Sequence, residues 1–383
     1  NIRPPVVVVV GHIDHGKSPL RDYIRQTAVT DKEVGGITQR VSAYEVTTGS
    51  GKTITFLDTP GHAAFSGIRE CGAKIADLAI VVVSAEEGVK AQTLEALSAV
   101  TAAGLPYLVA INKIDRPNAS VDRTKQSLAE NSILVEGYGG TIPCVAISAK
   151  TGEGIPELLE LILLMAEMAE LGVQSEAPAQ GFILEATRDP KVGIIATLII
   201  KEGVLQSGDF LIVGKAFGRI KKLENFLGQK VDELSAGSPA VVLGLPELPE
   251  TGLAFISSKD KKAAEALAQA ATEVESDCKP TSDAPAGTTV IPIILKADNV
   301  GSLEALAKEV TKLKTEAVTL SIVAKSVGQI TENDVKLGLG TSHAMIIGFT
   351  VKADKSAIEL AEKHGVTIKT FDIIYHLSEW LAE

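Results

Sequence analysis

The stretch VVVVVGHIDHGKSPLRDYIR, residues 6 to 25, decides how the chain begins to fold. Five consecutive valines, Val6 to Val10, present no polar face, so they predict a strand buried on both sides. Leu20 and Ile24 recur at helical spacing and predict a helix after the loop. Between strand and helix, Gly11-His-Ile-Asp-His-Gly16-Lys17-Ser18 fits G-x-x-x-x-G-K-S in the setting that this pattern requires. Its glycines let the backbone double back so that successive N–H groups converge on an anion. The helix N-terminus adds a favourable partial charge. Gly11, His12, Ile13, Asp14, His15, Gly16, Lys17, Ser18 and Pro19 are thus the candidate phosphate-binding residues. Lys17 is expected at the β- and γ-phosphates and the Ser18 hydroxyl on Mg2+. His12 and His15 flank Asp14 and suggest a metal site, but the phosphate cradle already accounts for the loop.

Further motifs follow at the ends of strand-like runs. Asp58-Thr-Pro-Gly61-His62 closes the run Ile54–Leu57. A carboxylate there can hold Mg2+ through water, Gly61 lets an amide approach the γ-phosphate, and His62 falls beside the attacking water. Asn112-Lys113-Ile-Asp115 closes Tyr107–Ile111. A carboxylate at Asp115 accepts two hydrogens from guanine, N1–H and the 2-amino group, and adenine presents neither. Asn112 braces the loop and the Lys113 stem covers the base. Ser148-Ala149-Lys150 closes Cys144–Ile147 and supports the guanine O6 by backbone N–H. Between the first two motifs, Gly35-Gly-Ile-Thr38-Gln39 reads as a plain glycine loop by itself. Beside the others it reads as a switch whose Thr38 closes on Mg2+.

Strands alternate with helical patterns over this first part, which predicts a parallel sheet covered on both faces. The texture changes at the linker 174–180. Short β runs punctuated by Gly, Asp and Pro then predict a small β-barrel. After a helical segment and a second linker, α/β alternation returns. The expected fold is an α/β P-loop GTPase domain, a β-barrel domain and a third α/β domain. Expected boundaries are 1–173, 174–258, 259–287 for the linker with its helix, and 288–383.

With 383 residues, 45% apolar, the chain can fill several cores. Its net charge of −11 excludes a generic polycationic nucleic-acid binder, though not local basic faces such as Arg219, Lys221 and Lys222. Cys71, Cys144 and Cys278 form no C-x-x-C pair and fit thiols in a reducing cytoplasm. No apolar run is long enough to span a bilayer. The chain opens on Asn1 and ends at Glu383 inside a helical pattern, so a piece of a longer protein is expected.

GHIDHGKS, GGITQ, DTPGH, NKID and SAK, in this order, resemble the translational GTPases. GGITQ followed by Ser42-Ala43-Tyr44, and His62-Ala-Ala-Phe65, resemble the bacterial-type translation initiation factor two family. Gly181–Ser257 is similar to that family's second domain, and IILKADNVGSLEAL, VGQITENDV and AMIIGFTV to its third. The resemblance implies a cytoplasmic GTPase, monomeric off the ribosome, that binds GTP, GDP and Mg2+. It implies action on both ribosomal subunits, with initiator tRNA placed and subunits joined. His62 is then the catalytic residue, set to work by large-subunit ribosomal RNA. The family's barrel for initiator tRNA has no counterpart here, so only weak tRNA binding is implied. Three positions depart from the family. Pro19 replaces a hydroxyl residue, Arg21 a leucine and Cys71 an arginine. The first two leave room for a second reading, a ribosome-associated scaffold with a weakened nucleotide site.

Overall fold

The computed structural model describes residues 2–25, 42–59, 66–173, 177–214, 216–274, 289–312, 318–339 and 344–382. Thr38, Gly61 and His62 lie outside the described residues, as does Cys278.

The first domain comprises β1 (Val6–Gly11), α1 (Lys17–Arg25), β2 (Ser42–Thr47), β3 (Thr53–Asp58), α2 (Ser66–Ile75) and β4 (Leu78–Ser84). It continues with α3 (Ala91–Ala102), β5 (Tyr107–Asn112), α4 (Val121–Glu130), β6 (Cys144–Ala146) and α5 (Ile155–Met168). Its six strands are ordered β2-β3-β1-β4-β5-β6, parallel except for the antiparallel β2. The valines of β1 show why the sheet must be covered twice. Val6, Val8 and Val10 pack with Val81, Val83, Leu97 and Val100, while Val7 and Val9 pack with Leu20, Ile24, Leu158 and Ile162. All five are essentially removed from water.

The second domain contains β7 (Gln180–Asp189), β8 (Gly193–Glu202), β9 (Val204–Gln206), β10 (Phe210–Val213) and β11 (Ala216–Arg219). It also holds β12 (Lys222–Glu224), β13 (Glu233–Ser235), β14 (Pro239–Leu243) and β15 (Ala254–Ser258). Seven strands form one sheet, β11-β10-β15-β7-β8-β14-β12, and β13 pairs with β9. α6 (Lys261–Val274) lays Ala264 and Ala268 against Ile212 of β10. The third domain contains β16 (Thr289–Ala297), α7 (Val300–Lys312), β17 (Val318–Val327), α8 (Glu332–Leu339) and β18 (Met345–Phe349). It ends with α9 (Lys355–His364), β19 (Thr367–Phe371) and α10 (Ile374–Ala382). Its four parallel strands are ordered β17-β16-β18-β19. The final strand-like stretch of the sequence, Thr367–Tyr375, splits. Residues 367–371 stay extended, whereas Ile374 opens a helix that buries Leu377 and sets Trp380 against Phe371. None of the described helices is long and apolar enough to cross a membrane.

By spatial clustering the chain divides into two compact units, 1–184 with 197–207 and 222–241, and 185–196 with 208–221 and 242–383. Inside the first unit a buried carboxylate ties separate segments together. Asp77, just before β4, accepts two hydrogen bonds from the Arg3 guanidinium, at 2.5 and 2.7 Å. It accepts another from Lys201 Nζ of β8 at 2.5 Å and one from the Val6 amide at 2.8 Å. Burial alone would raise its pKa, but the hydrogen bonds and charges of Arg3 and Lys201 outweigh it and hold the carboxyl below its ordinary value. Burial lowers the pKa of Lys201 itself, against the pull of Asp77 and with the help of the neighbouring Arg3 charge. Close by, Thr55 Oγ1 donates to the Gly237 carbonyl at 2.6 Å.

Replacing Asp77 with Asn strands two buried cations and is expected to cost about 3–5 kcal/mol of stability at neutral pH. Because the native carboxyl titrates below its ordinary 3.8, that advantage holds above pH 4 and fades as the pH falls further. Urea denaturation of both proteins at pH 7 and pH 3 checks the size and the sign.

Candidate functional site

The parallel strands deliver their carboxyl ends to one edge of the first sheet. β1 leads into Gly11–Gly16, β3 ends on Asp58, β5 ends on Asn112, and Ser148–Lys150 follow β6. The chain goes from β1 to β3 on one side and then to β4 on the other, so β1 is the switch point at which open α/β sheets bind ligands.

Ile13–His15 form a single 3-10 turn, ended by Gly16 in the left-handed conformation at φ +90°. A Cβ on Gly16 would lie 2.4 Å from Asn112 Nδ2, so bare backbone is required there. α1 then starts at Lys17, and its first backbone bond runs from Leu20 N to Gly16 O at 3.1 Å. Pro19 precedes that bond, and its missing N–H removes nothing from the helix. The Lys17 side chain curls back over the loop, donating to the Gly11 and His12 carbonyls at 3.0 and 2.8 Å. Desolvation brings its pKa down to about 8, against the pull of Asp58. Two cradle amides are already engaged. His15 N donates to the His12 carbonyl at 3.3 Å. Ile13 N donates to Gln92 Oε1 of α3 at 3.3 Å.

His15 points inward and is fully buried. Its Nδ1 donates to the Val82 carbonyl at 3.2 Å, and its Nε2 has no partner among the described residues. Protonation would put a hydrogen on that nitrogen with nothing to accept it. Burial accordingly lowers the pKa to about 4. His12 lies edge-on to the ring, 5.0 Å between centroids. Among the described residues no three His, Cys, Asp or Glu side chains gather as metal ligands, so the two histidines read as loop packing.

Asn112 is the joint between loops. Its amide nitrogen donates to the His15 carbonyl at 2.9 Å and the Gly16 carbonyl at 3.4 Å. Its Oδ1 accepts from Lys113 N at 2.8 Å and from Ala149 N at 3.0 Å. Lys113 takes a left-handed backbone, φ +68°, and its Nζ lies 3.9 Å from Glu87. Ser148 Oγ donates to Asp115 Oδ1 at 2.8 Å and accepts from Thr151 N at 3.1 Å. Asp115 therefore stands exposed but oriented, and Lys150 is also exposed. On the other flank Asp58 is buried, with Arg21 Nη1 3.2 Å from its Oδ2. Asp14 is exposed and Ser18 half-buried.

The structure thus brings the loop from Gly11 to Pro19, Asp58, Asn112–Asp115 and Ser148–Lys150 to one edge. Gln92, Glu87 and the bond from Arg21 to Asp58 are not among the residues the motifs point to. Arg21 carries a signal of its own as a departure from the family pattern, whereas Gln92 and Glu87 carry none.

A G-x-x-x-x-G-K-S loop and an N-K-x-D loop at one sheet edge, on a chain that continues into a β domain and a second α/β domain, define the translational GTPase fold. The family model of the elongation factor Tu GTP binding domain matches residues 3–168, that of elongation factor G domain 2 residues 178–258, and that of translation-initiation factor 2 residues 262–382. Translation initiation factor IF-2 of Persephonella marina is 45% identical over 389 residues, covering 100% of this chain and 44% of the relative. That of Rubrobacter xylanophilus is 42% identical, covering 98% and 56%. Among solved structures, GDP-bound aIF5B from Aeropyrum pernix superposes with a TM-score of 0.57 at 27% identity, over 100% of this chain and 75% of the other. Elongation factor SelB from Methanococcus maripaludis, in complex with GppNHp, gives 0.54 at 27% over 68% and 56%. The chain belongs to the translation initiation factor 2 family. It spans about half the length of the curated relatives it matches.

A histidine buried neutral must be charged in the unfolded chain at mild acidity. Its native pKa near 4, against an ordinary 6.5, means that the unfolded state binds the extra proton between those values. Stability is therefore expected to fall as pH drops from 6.5 to 4, by about 3 kcal/mol from this group. Thermal unfolding of the nucleotide-free protein and of His15→Gln across that window checks it. The variant is expected to lose this part of the slope.

Proposed function

We propose that this chain is the GTP-hydrolysing core of a ribosome-dependent translation initiation factor. The observation that carries the reading is the joint at Asn112. One buried amide fixes the phosphate loop to the loop holding Ala149, while Ser148 aims the Asp115 carboxylate outward. A guanine edge offers that carboxylate two donors, and since the Ala149 amide is bonded to Asn112 Oδ1, another amide of Ser148–Lys150 would meet the base oxygen. Adenine finds neither partner.

In this reading the cradle amides and Lys17 bind the phosphates, with Lys17 exchanging loop carbonyls for phosphate oxygens. The residues fit a hard divalent ion: the Ser18 hydroxyl at the start of α1 and, through water, the Asp58 carboxylate at the end of β3 would supply oxygen donors, with Thr38 as a third. Bound Mg2+ neutralises charge on the β- and γ-phosphate oxygens. His62 orients the attacking water for in-line displacement when large-subunit ribosomal RNA positions it. Partners in this reading are both ribosomal subunits, with initiator tRNA bound weakly by this part of the chain. The chain itself is monomeric off the ribosome and cytoplasmic.

A second reading, a ribosome-bound scaffold that does not hydrolyse GTP, draws on Pro19 and on the ion pair of Asp58 with Arg21. Phosphate release from GTP with and without ribosomes separates the two. Release stimulated by ribosomes is expected, and none in either condition at saturating GTP favours the scaffold. Asp115→Ala is expected to weaken GDP binding about a hundredfold while leaving ATP binding poor, measured by calorimetric titration. Pro19 lacks the amide that would face the α-phosphate. Pro19→Thr is therefore expected to tighten GDP binding about ten- to a hundredfold, and equal affinities would remove any role for Pro19.

A further inference from the structure

Arg21 stands one turn beyond Lys17 on α1, and its head reaches across to the end of β3. Its Nη1 lies 3.2 Å from Asp58 Oδ2, and its Nε lies 3.0 Å from Asp22 Oδ1. The Asp58 side chain is 2% exposed and that of Arg21 13%, whereas Asp22 is half in water at 52%. The pair between Arg21 and Asp58 is therefore the strongly coupled one, since little water screens it. Lys17, whose ammonium is held on loop carbonyls, adds a second positive field at Asp58. Asp58 is the carboxylate that the proposed nucleotide site assigns to the cation. Arg21 holds one of the two carboxylate oxygens, and a divalent ion reaching Asp58 through water would share the same negative charge, so each cation weakens the other's hold.

We propose that Arg21 is a built-in counter-cation for Asp58 that competes with Mg2+ for this carboxylate and raises the Mg2+ needed for tight nucleotide binding. The inference rests on the GTPase reading above and assigns Arg21 as a positioning residue that sets the Mg2+ requirement of this site. Without nucleotide, Arg21 neutralises the buried carboxylate and keeps the empty site folded. When nucleotide brings Mg2+, Arg21 can shift its weight to Asp22, which its Nε already bonds at 3.0 Å. The competition weakens Mg2+ at this site and, through it, loosens the nucleotide.

The test titrates binding of fluorescent N-methylanthraniloyl-GDP to the chain over buffered free Mg2+, for the unaltered protein, Arg21→Leu and Arg21→Gln. Losing one charge-assisted bond to Asp58 is expected to lower the half-saturating Mg2+ about tenfold or more in both variants. Thermal unfolding with no nucleotide gives a second readout. Both variants are expected to melt lower in EDTA than the unaltered chain and to gain more from Mg2+ alone. The Gln variant, which keeps a polar head, guards against a folding defect in the Leu variant. Equal or higher half-saturating Mg2+ in the variants, with GDP still bound, overturns the role of Arg21 and leaves the nucleotide site standing. Failure of all three proteins to bind GDP at any Mg2+ concentration overturns the nucleotide site and this inference with it.

Discussion

A primary amide can donate two hydrogen bonds and accept two, and Asn112 does all four while almost wholly buried. Each of those bonds ends on backbone, so the side chain fixes main-chain positions and leaves other side chains free. Two carbonyls belong to the loop after β1 and one amide to the loop after β6. In a dry environment an unmade partner at such a site costs about 1–3 kcal/mol, which is why the arrangement tolerates no slack. The bareness of Gly16 follows from it, because a Cβ would sit where Nδ2 must be. The left-handed backbone of Lys113 follows too. A non-glycine residue pays for that conformation, and the bond from its own amide to Asn112 Oδ1 offsets the cost. The loop after β1 and the loop after β6 are thus tied through one side chain, which fixes the span between them.

The sheet beneath this joint was plain in the sequence because both signals behind it are local. Five adjacent valines can be satisfied only with helices on both faces, and the helical spacing of Leu20 and Ile24 names one of those helices. The loop motifs were legible for a similar reason, since each joins a strand end to a few residues of fixed chemistry. What was not legible depends on pairs far apart in the chain. Arg21 and Asp58 are 37 positions apart, Ile13 and Gln92 are 79 apart, and no periodicity links either pair. The three- and four-residue strands β9 and β11–β13 are too short to show alternation, and they exist because neighbouring strands complete their ladders. At the end of the third domain the strand-like stretch 367–375 conceals a change from strand to helix, since apolar content alone does not separate the two periods.

Charge at the phosphate edge is organised against the charge of the whole molecule. A chain with a net charge of −11 repels a polyphosphate at long range. Screening at physiological salt limits that repulsion to about 8 Å, so the decision falls to the groups at the loop. There the protein keeps its cations engaged. Lys17 is held on two carbonyls and Arg21 on a carboxylate, while His15 is kept neutral by burial. An ammonium whose pKa has dropped to about 8 is one that desolvation has already weakened, and a phosphate would restore what the carbonyls do not. Binding at such an edge is an exchange of partners, and its free energy is the difference between two sets of bonds. The affinity of the proposed site is therefore set by how well these partners hold Lys17 and Arg21.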